Sequence, residues 1–281
     1  MTSRPHAAHA ATAEVVTLDH GVATRRTDSL AGEEPLQIRV AGPGQAPVDV
    51  AVTMRTPGGE EELAIGFLVT EGLCAPEDVE AWVIGDPATD ARPDDTITVQ
   101  LRTRFDPATV RARLTVATAS CGICGTASID DVARRCAPLP DGPDVDPAVL
   151  PTLTTTLRAA QETFDSTGGL HASGLFDPDG RLLRVREDVG RHNALDKLVG
   201  AAALAAALPL HGTMLLVSGR VSFELVQKAA MAGIPILLAV GAPTDLAVDT
   251  ATRLGITLVG FLRGERCNVY SRPDRLGLGR A

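Results

Sequence analysis

Met214-Leu215-Leu216-Val217-Ser218-Gly219-Arg220 begins the stretch that decides the fold. An apolar strand over 214–217 ends on a Ser-Gly-Arg turn, and a helical pattern follows from Ser222 to Ala232. The alternation then repeats as strand Ile234 to Val240, helix Thr244 to Leu254 and strand Ile256 to Leu262. Short apolar, β-branched runs between helices predict a mostly parallel sheet covered on both faces. Ligands of such sheets bind outside the carboxyl ends of the strands. Those ends are Ser218-Gly219-Arg220, Gly241-Ala242-Pro243 and Arg263-Gly264-Glu265-Arg266. Each holds a glycine, which lets a ligand approach the backbone, and two hold arginines.

Upstream, an Ala/Leu-rich helix is expected over 190–208. Leu170 to Phe176 and Arg181 to Val185 read as paired strands across the turn Asp177-Pro178-Asp179-Gly180. Thr152 to Thr163 reads as a helix, and Pro138 to Pro151 as a Pro/Asp-rich connection. In the first half, Leu36 to Val40 and Val48 to Met54 alternate apolar and polar residues, as half-buried strands do. Glu61 to Leu73 has helical spacing, with Glu60 to Glu62 suited to the positive helix end. Thr96 to Leu101 reads as a strand, and helices are expected from Pro107 and over Asp130 to Cys136. Residues 1–30 show no periodicity and read as a mobile tail. The expected organisation is that tail, a smaller α+β domain over 31–150 and an α/β domain over 151–281.

Composition narrows the function. Of 281 residues, 44% are hydrophobic and 22% charged, which excludes disorder over most of the length. Aromatics are only 3%, against base-stacking nucleic-acid modules, and a net charge of −9 argues against a nucleic-acid polymer as partner. A local basic pocket for one nucleotide stays allowed. The first residues lack the apolar core of a signal peptide, and no uninterrupted apolar run reaches the ~18 residues of a membrane span. A cytoplasmic protein without membrane attachment is expected.

Five cysteines, Cys74, Cys121, Cys124, Cys136 and Cys267, are an odd number for a disulfide scaffold. The one close pair is Ser120-Cys121-Gly122-Ile123-Cys124-Gly125. If a helix follows, its N-terminal amides favour thiolate, the nucleophilic form. A structural role is discounted for this pair, because a glycine-bracketed loop is a poor place for core residues, but it suits Cys74 and Cys136. A zinc site would need four ligands where one Cys-x-x-Cys supplies two, so no structural metal is expected. Zinc deamination would need a glutamate after a histidine, and His171-Ala172-Ser173 has a serine there. Thiol–disulfide exchange and persulfide carriage remain, and spacing alone does not choose between them.

Cys121-Gly122-Ile123-Cys124-Gly125 resembles the cysteine motif of FdhD-type proteins, sulfurtransferases required for formate dehydrogenase activity. Further blocks similar to that family are Gly169-Leu170-His171-Ala172-Ser173-Gly174-Leu175 and Arg186 to Lys197. Ser218-Gly219-Arg220-Val221-Ser222-Phe223-Glu224 and Gly260 to Arg266 follow in the same order. The resemblance implies a protein that takes persulfide sulfur from a cysteine desulfurase and passes it to molybdenum bis(molybdopterin guanine dinucleotide). That cofactor, a bound substrate here, then enters the formate dehydrogenase catalytic subunit. The resemblance also implies the persulfide on Cys121, Cys124 as relay partner, a homodimer and a C-terminal three-layer domain like cytidine deaminases. It places the cofactor near Phe261, Leu262, Arg263, Gly264, Glu265 and Arg266. Two other functions keep the same residues: a non-catalytic cofactor-binding chaperone and a dithiol oxidoreductase.

The cofactor's pyrophosphates call for arginines, strand-end glycines and helix N-termini, which Ser218, Gly219, Arg220, Arg263 and Arg266 supply. In the block 186–197, Asp188 is expected to cap the helix starting near Val189, with Glu187 at its positive end. Asp196 is expected to pair with Lys197 or solvent, and His192 to face the cofactor. His171 ranks as a further candidate through the resemblance.

Overall fold

A computed structural model describes residues 10–85, 90, 92–110 and 138–279. Cys121, Cys124, Cys136 and the helix expected over Asp130 to Cys136 lie outside the described residues.

The first half builds a four-stranded sheet in the order β4-β3-β6-β5, from β3 (Glu34–Ala41), β4 (Val48–Arg55), β5 (Val79–Ile84) and β6 (Thr96–Leu101). Alternation sets its faces: Leu36, Ile38 and Val40 are wholly buried, while Gln37 and Arg39 point the other way. Helix α1 (Glu60–Thr70) covers the apolar face with Leu63, Ile65 and Leu68, and ends before Gly72, whose φ is +60°.

The second half builds a six-stranded sheet in the order β12-β11-β10-β9-β7-β8. Its strands are β7 (His171–Phe176), β8 (Leu182–Asp188), β9 (Met214–Val217), β10 (Ile236–Ala239), β11 (Thr257–Arg263) and β12 (Arg266–Ser271). The sheet belongs to an α/β fold as expected, but it is parallel only through β9, β10 and β11. The β7–β8 hairpin and β12 join antiparallel at the two edges. The connections decide this: a turn of two residues between β11 and β12 leaves no room for a crossover, so the chain must reverse. Three helices, α4 (Arg191–Leu204), α5 (Phe223–Met231) and α6 (Asp245–Leu254), share one apolar core with α1 and one face of the sheet. On the other face α2 (Leu150–Ala159) inserts Leu150, Leu153 and Leu157 among Phe176, Leu216 and Leu238. None of the helices among the described residues is long and apolar enough to cross a membrane.

Residues 10–31 are not a structureless tail. Ala10–Asp19 (β1) pairs antiparallel with Val22–Ala31 (β2) across His20 and Gly21, both at positive φ as a two-residue hairpin turn requires. Val16 (61%), Leu18 (71%) and Val22 (63%) are exposed while Ala13, Val15 and Thr17 are half-buried, so the sequence carries no apolar–polar alternation to mark the strands. The helix expected over 152–163 is two helices, α2 and α3 (Glu162–Thr167). Glu187 explains the break: its carboxylate accepts from the amides of Thr163 (3.0 Å) and Phe164 (2.9 Å). It therefore serves the start of α3 rather than the helix after Val189. The helix expected over 190–208 stops at Leu204, where Ala206 turns to φ +51°.

The two sheets meet where α1 crosses α4. Gly66 and Gly200 face each other there, and a Cβ on Gly66 would collide with the Asp196 carbonyl, one on Gly200 with that of Glu62. Buried polar pairs flank the crossing. Asp188, with no exposed surface, binds Lys197 (2.7 Å), the Thr56 amide (3.1 Å), the Gly190 amide (2.9 Å) and Asn193 (3.0 Å). It is a junction between the halves rather than a simple cap. Asp196 pairs neither with Lys197 nor with solvent but with Lys228 (2.9 Å) and the Thr70 hydroxyl (2.7 Å). The reason is helical geometry: neighbouring residues 196 and 197 point about 100° apart. Glu62 and Arg186 add a bidentate pair.

Candidate functional site

The strand ends converge. β9 delivers Ser218, Gly219 and Arg220; β10 delivers Val240 and Gly241; β11 delivers Arg263. His171 opens β7 and Arg191 opens α4 at the same edge. Together they line a cavity of about 280 Å³.

Close backbone packing shapes its floor. The Gly241 amide donates to the Gly219 carbonyl at 3.0 Å, and a Cβ on Gly241 would stand 2.7 Å from that oxygen and 2.9 Å from the Arg220 nitrogen. Only glycine fits there. Ser218 locks β9 to β7 through two bonds: its amide donates to the Ala172 carbonyl (2.9 Å), and its hydroxyl accepts from the Ala172 amide (2.9 Å). That hydroxyl also lies 3.5 Å from His171 Nδ1.

Charge is concentrated in this edge. Among the described residues, Arg191, Arg220 and Arg263 make no ion pair and no side-chain hydrogen bond. Around one cavity, three guanidinium groups without a partner among the described residues could hold an anion, since each presents a fork of donors matched to phosphate or carboxylate oxygens. Burial, reinforced by the neighbouring Arg191 and His192, pushes His171 below the ordinary imidazole value. His171 is therefore neutral near pH 7 and offers one donor and one acceptor to a ligand.

The residues singled out in the sequence distribute unevenly. Ser218, Gly219, Arg220 and Arg263 line the cavity, as does His171. Phe261 borders it in backbone, its amide donating to the Gly241 carbonyl (3.0 Å), and its ring is 40% exposed at φ +55°. Gly264, Glu265 and Arg266 form the exposed turn beyond. Leu262 points the other way, 1% exposed in the core beneath the sheet. His192 sits beside the cavity rather than on its lining, held by Glu224 (3.1 Å) and Ser222 (3.3 Å). That hydrogen bond is the main cause holding the Glu224 carboxyl down at about 2. Arg191 and Val240 were not read from the sequence. The available signal for Arg191 was its place at a helix start just after Gly190, on the same side as the strand ends.

Two of the remaining thiols are poor nucleophiles. Burial, helped by Asp78 and Glu77, pushes Cys74 up to about 12, and burial also raises Cys267.

Comparison with known proteins gives one consistent result. A family model described as the FdhD/NarQ family matches residues 31–277. The chain is 49% identical over 273 residues to the sulfur carrier protein FdhD of Streptomyces coelicolor, covering 94% of this chain and 95% of that one. It is 48% identical over 260 residues to the protein of the same name from Mycobacterium tuberculosis, covering 89% and 92%. Its fold is similar to a crystal structure from Desulfotalea psychrophila described as a formate dehydrogenase accessory protein, with a TM-score of 0.73 at 25% identity, over 95% and 99% of the two chains.

Proposed function

The chain belongs to the FdhD/NarQ family, and from that membership we propose that it is a sulfur carrier in the maturation of formate dehydrogenase. The Cys121 thiolate attacks the terminal sulfur of a cysteine desulfurase persulfide. A new S–S bond forms on Cys121, and the desulfurase cysteine leaves as thiolate. Release of that sulfur as hydrosulfide takes two electrons, which Cys124 supplies when its thiol closes a disulfide with Cys121. The acceptor is the molybdenum bis(molybdopterin guanine dinucleotide) substrate, destined for the formate dehydrogenase catalytic subunit, and the setting is the cytoplasm.

One observation supports the second half of this reading: three arginines, unpaired among the described residues, over a glycine floor at converging strand ends. The chemistry fits a pyrophosphate. Arg191, Arg220 and Arg263 supply charge-assisted donors, Gly219 puts no Cβ between the backbone and the His171 ring, and His171 meets the ligand neutral. A cavity of about 280 Å³ takes one nucleotide end rather than the whole cofactor.

Complementation of a formate dehydrogenase maturation defect tests it with two variants, Cys121→Ala and Arg220→Ala/Arg263→Ala. A carrier needs both features, so both variants fail. Growth with Cys121→Ala would mean a cofactor-binding chaperone, and growth with the double arginine variant would mean dithiol chemistry independent of the cavity. Mass spectrometry after incubation with desulfurase and cysteine should place sulfane sulfur on Cys121 and lose it in Cys121→Ala.

A further inference from the structure

His192 follows Arg191 in sequence yet turns away from the cavity that Arg191 lines, toward the start of α5. Its Nε2 lies 3.1 Å from Glu224 Oε2 and 3.3 Å from Ser222 Oγ, and the Ser222 hydroxyl donates to the same carboxylate oxygen at 3.1 Å. These side chains close on one another between two elements that each carry an arginine of the cavity. Arg191 opens α4 directly before His192, and Arg220 lies in the turn that leads through Val221 to Ser222.

Ser222 departs from what its position asks of it. It is the N-cap of α5, where a serine side chain ordinarily accepts from an amide of the first turn. Here the hydroxyl makes no capping bond and faces Glu224 and His192 instead. A local rule broken in this way marks a functional or strained position. Both sides of the contact are anchored. The Val221 amide donates to the Ala242 carbonyl (3.0 Å) and its carbonyl accepts from the Thr244 amide (3.0 Å), which fixes the turn to the cavity floor. Asn193 donates to the Met54 carbonyl (2.7 Å) and Asp188 accepts from the Thr56 amide (3.1 Å), which holds the start of α4 to the four-stranded sheet. His192 ties that helix start to the turn. The Arg191 stem passes beside Gly219, its Cδ 3.8 Å from where a Cβ on Gly219 would stand. A shift of the helix start therefore moves the Arg191 guanidinium relative to Arg220.

We propose that His192 and Glu224 are positioning residues of the arginine cavity: their contact fixes the spacing of Arg191 and Arg220 and so selects a diphosphate over a monophosphate. The proposal rests on the reading of that cavity as a pyrophosphate site. One guanidinium fork satisfies a monophosphate, so the spacing of two forks matters little to it. In a diphosphate the second phosphate meets the second arginine as an intramolecular partner. That gain exists only while the two forks stand at the span of the ligand, and it vanishes when the geometry forbids both contacts at once.

Inorganic pyrophosphate and orthophosphate titrated calorimetrically into the full chain test this. The wild type should bind pyrophosphate at least about tenfold more tightly than orthophosphate. His192→Phe should lose about tenfold in pyrophosphate affinity and less than about twofold in orthophosphate affinity. His192→Gln, whose amide still donates to Glu224, should keep most of the preference. Glu224→Ala approaches the contact from its exposed side and sets two effects against each other. Removing a negative charge beside the cavity would by itself favour the more highly charged pyrophosphate, whereas losing the contact lowers the preference. In an Arg191→Met background, His192→Phe should change pyrophosphate affinity no further. Four results would each overturn the proposal and leave the cavity reading standing: equal losses for both anions in His192→Phe, a preference that does not fall in Glu224→Ala, the same His192→Phe loss in Arg191→Met, or a wild type that binds the two anions equally. A wild type that binds neither anion would overturn the pyrophosphate reading and this proposal with it.

Discussion

Glu224 is the side chain whose proton reports on the neighbourhood of the arginine cavity. Its carboxyl is held down at about 2, first by the hydrogen bond to His192. An unfolded chain would hold it near the ordinary value of about 4.3. The contact therefore adds stability that is complete above the unfolded value and is lost as pH falls toward the folded one. With 47% of the side chain exposed, solvent screens the effect and keeps it small. Glu224→Gln should accordingly lower stability at pH 5, and the margin should shrink as pH falls below about 4. Urea unfolding between about pH 5 and pH 3 checks it, and a margin that grows as pH falls through that window would contradict the pairing. At this scale the sequence was legible where a residue stands at the carboxyl end of a strand, as Arg220 and Arg263 do. It was less legible at Leu262, which entered the expected site with its block although strict alternation with Phe261 and Arg263 assigns it to the core. Asp188 and Asp196 were misread for another reason: their partners, Thr56 and Lys228, are remote in sequence.

Among the elements, α1 and α4 depend on each other through Gly66 and Gly200. Alanine is a better helix former than glycine by about 1 kcal/mol, so propensity alone would make Gly66→Ala stabilising. The new Cβ would meet the Asp196 carbonyl, part of a helix backbone that cannot swing aside as a side chain can. Overpacking of this kind costs about 1–3 kcal/mol, and here it should win. Gly66→Ala is expected to lower the melting temperature while far-ultraviolet circular dichroism keeps its helical signal. An unchanged or raised melting temperature would show that the helices stand further apart than this. Both helices were visible in the sequence as periodic runs, because periodicity is local. Their crossing was not, because two glycines in separate helices say nothing about each other. The hairpin β1–β2 was hidden for the complementary reason: its order lies in backbone bonds, and its exposed positions hold apolar residues such as Val16 and Leu18.

Over the whole molecule, the two sheets share one continuous core, with Leu36, Ile38 and Leu63 in the same cluster as Leu198, Leu215 and Leu258. Lys228 is the charged group most deeply committed to that union. It is 4% exposed and reaches from α5 to Asp196 on α4 and Glu71 beyond α1. Burial works against its charge, and the two carboxylates together outweigh burial and keep it raised. Removing one partner of such a buried pair leaves the other charge stranded, at about 3–5 kcal/mol. Lys228→Met should therefore be among the most destabilising single changes in the protein, and Lys228→Met/Asp196→Leu should recover much of the loss. Guanidinium unfolding of the two variants distinguishes this from a generic cavity effect, in which the double variant would be worse than the single. The glycine crossing also limits how the molecule can move. Packed helices slide over one another by small rotamer changes in the side chains between them, which is how shear motions accumulate. At Gly66 and Gly200 no side-chain layer exists to absorb a slide. The four-stranded sheet and α4 are consequently coupled through backbone contact that leaves a shear of this kind nowhere to go.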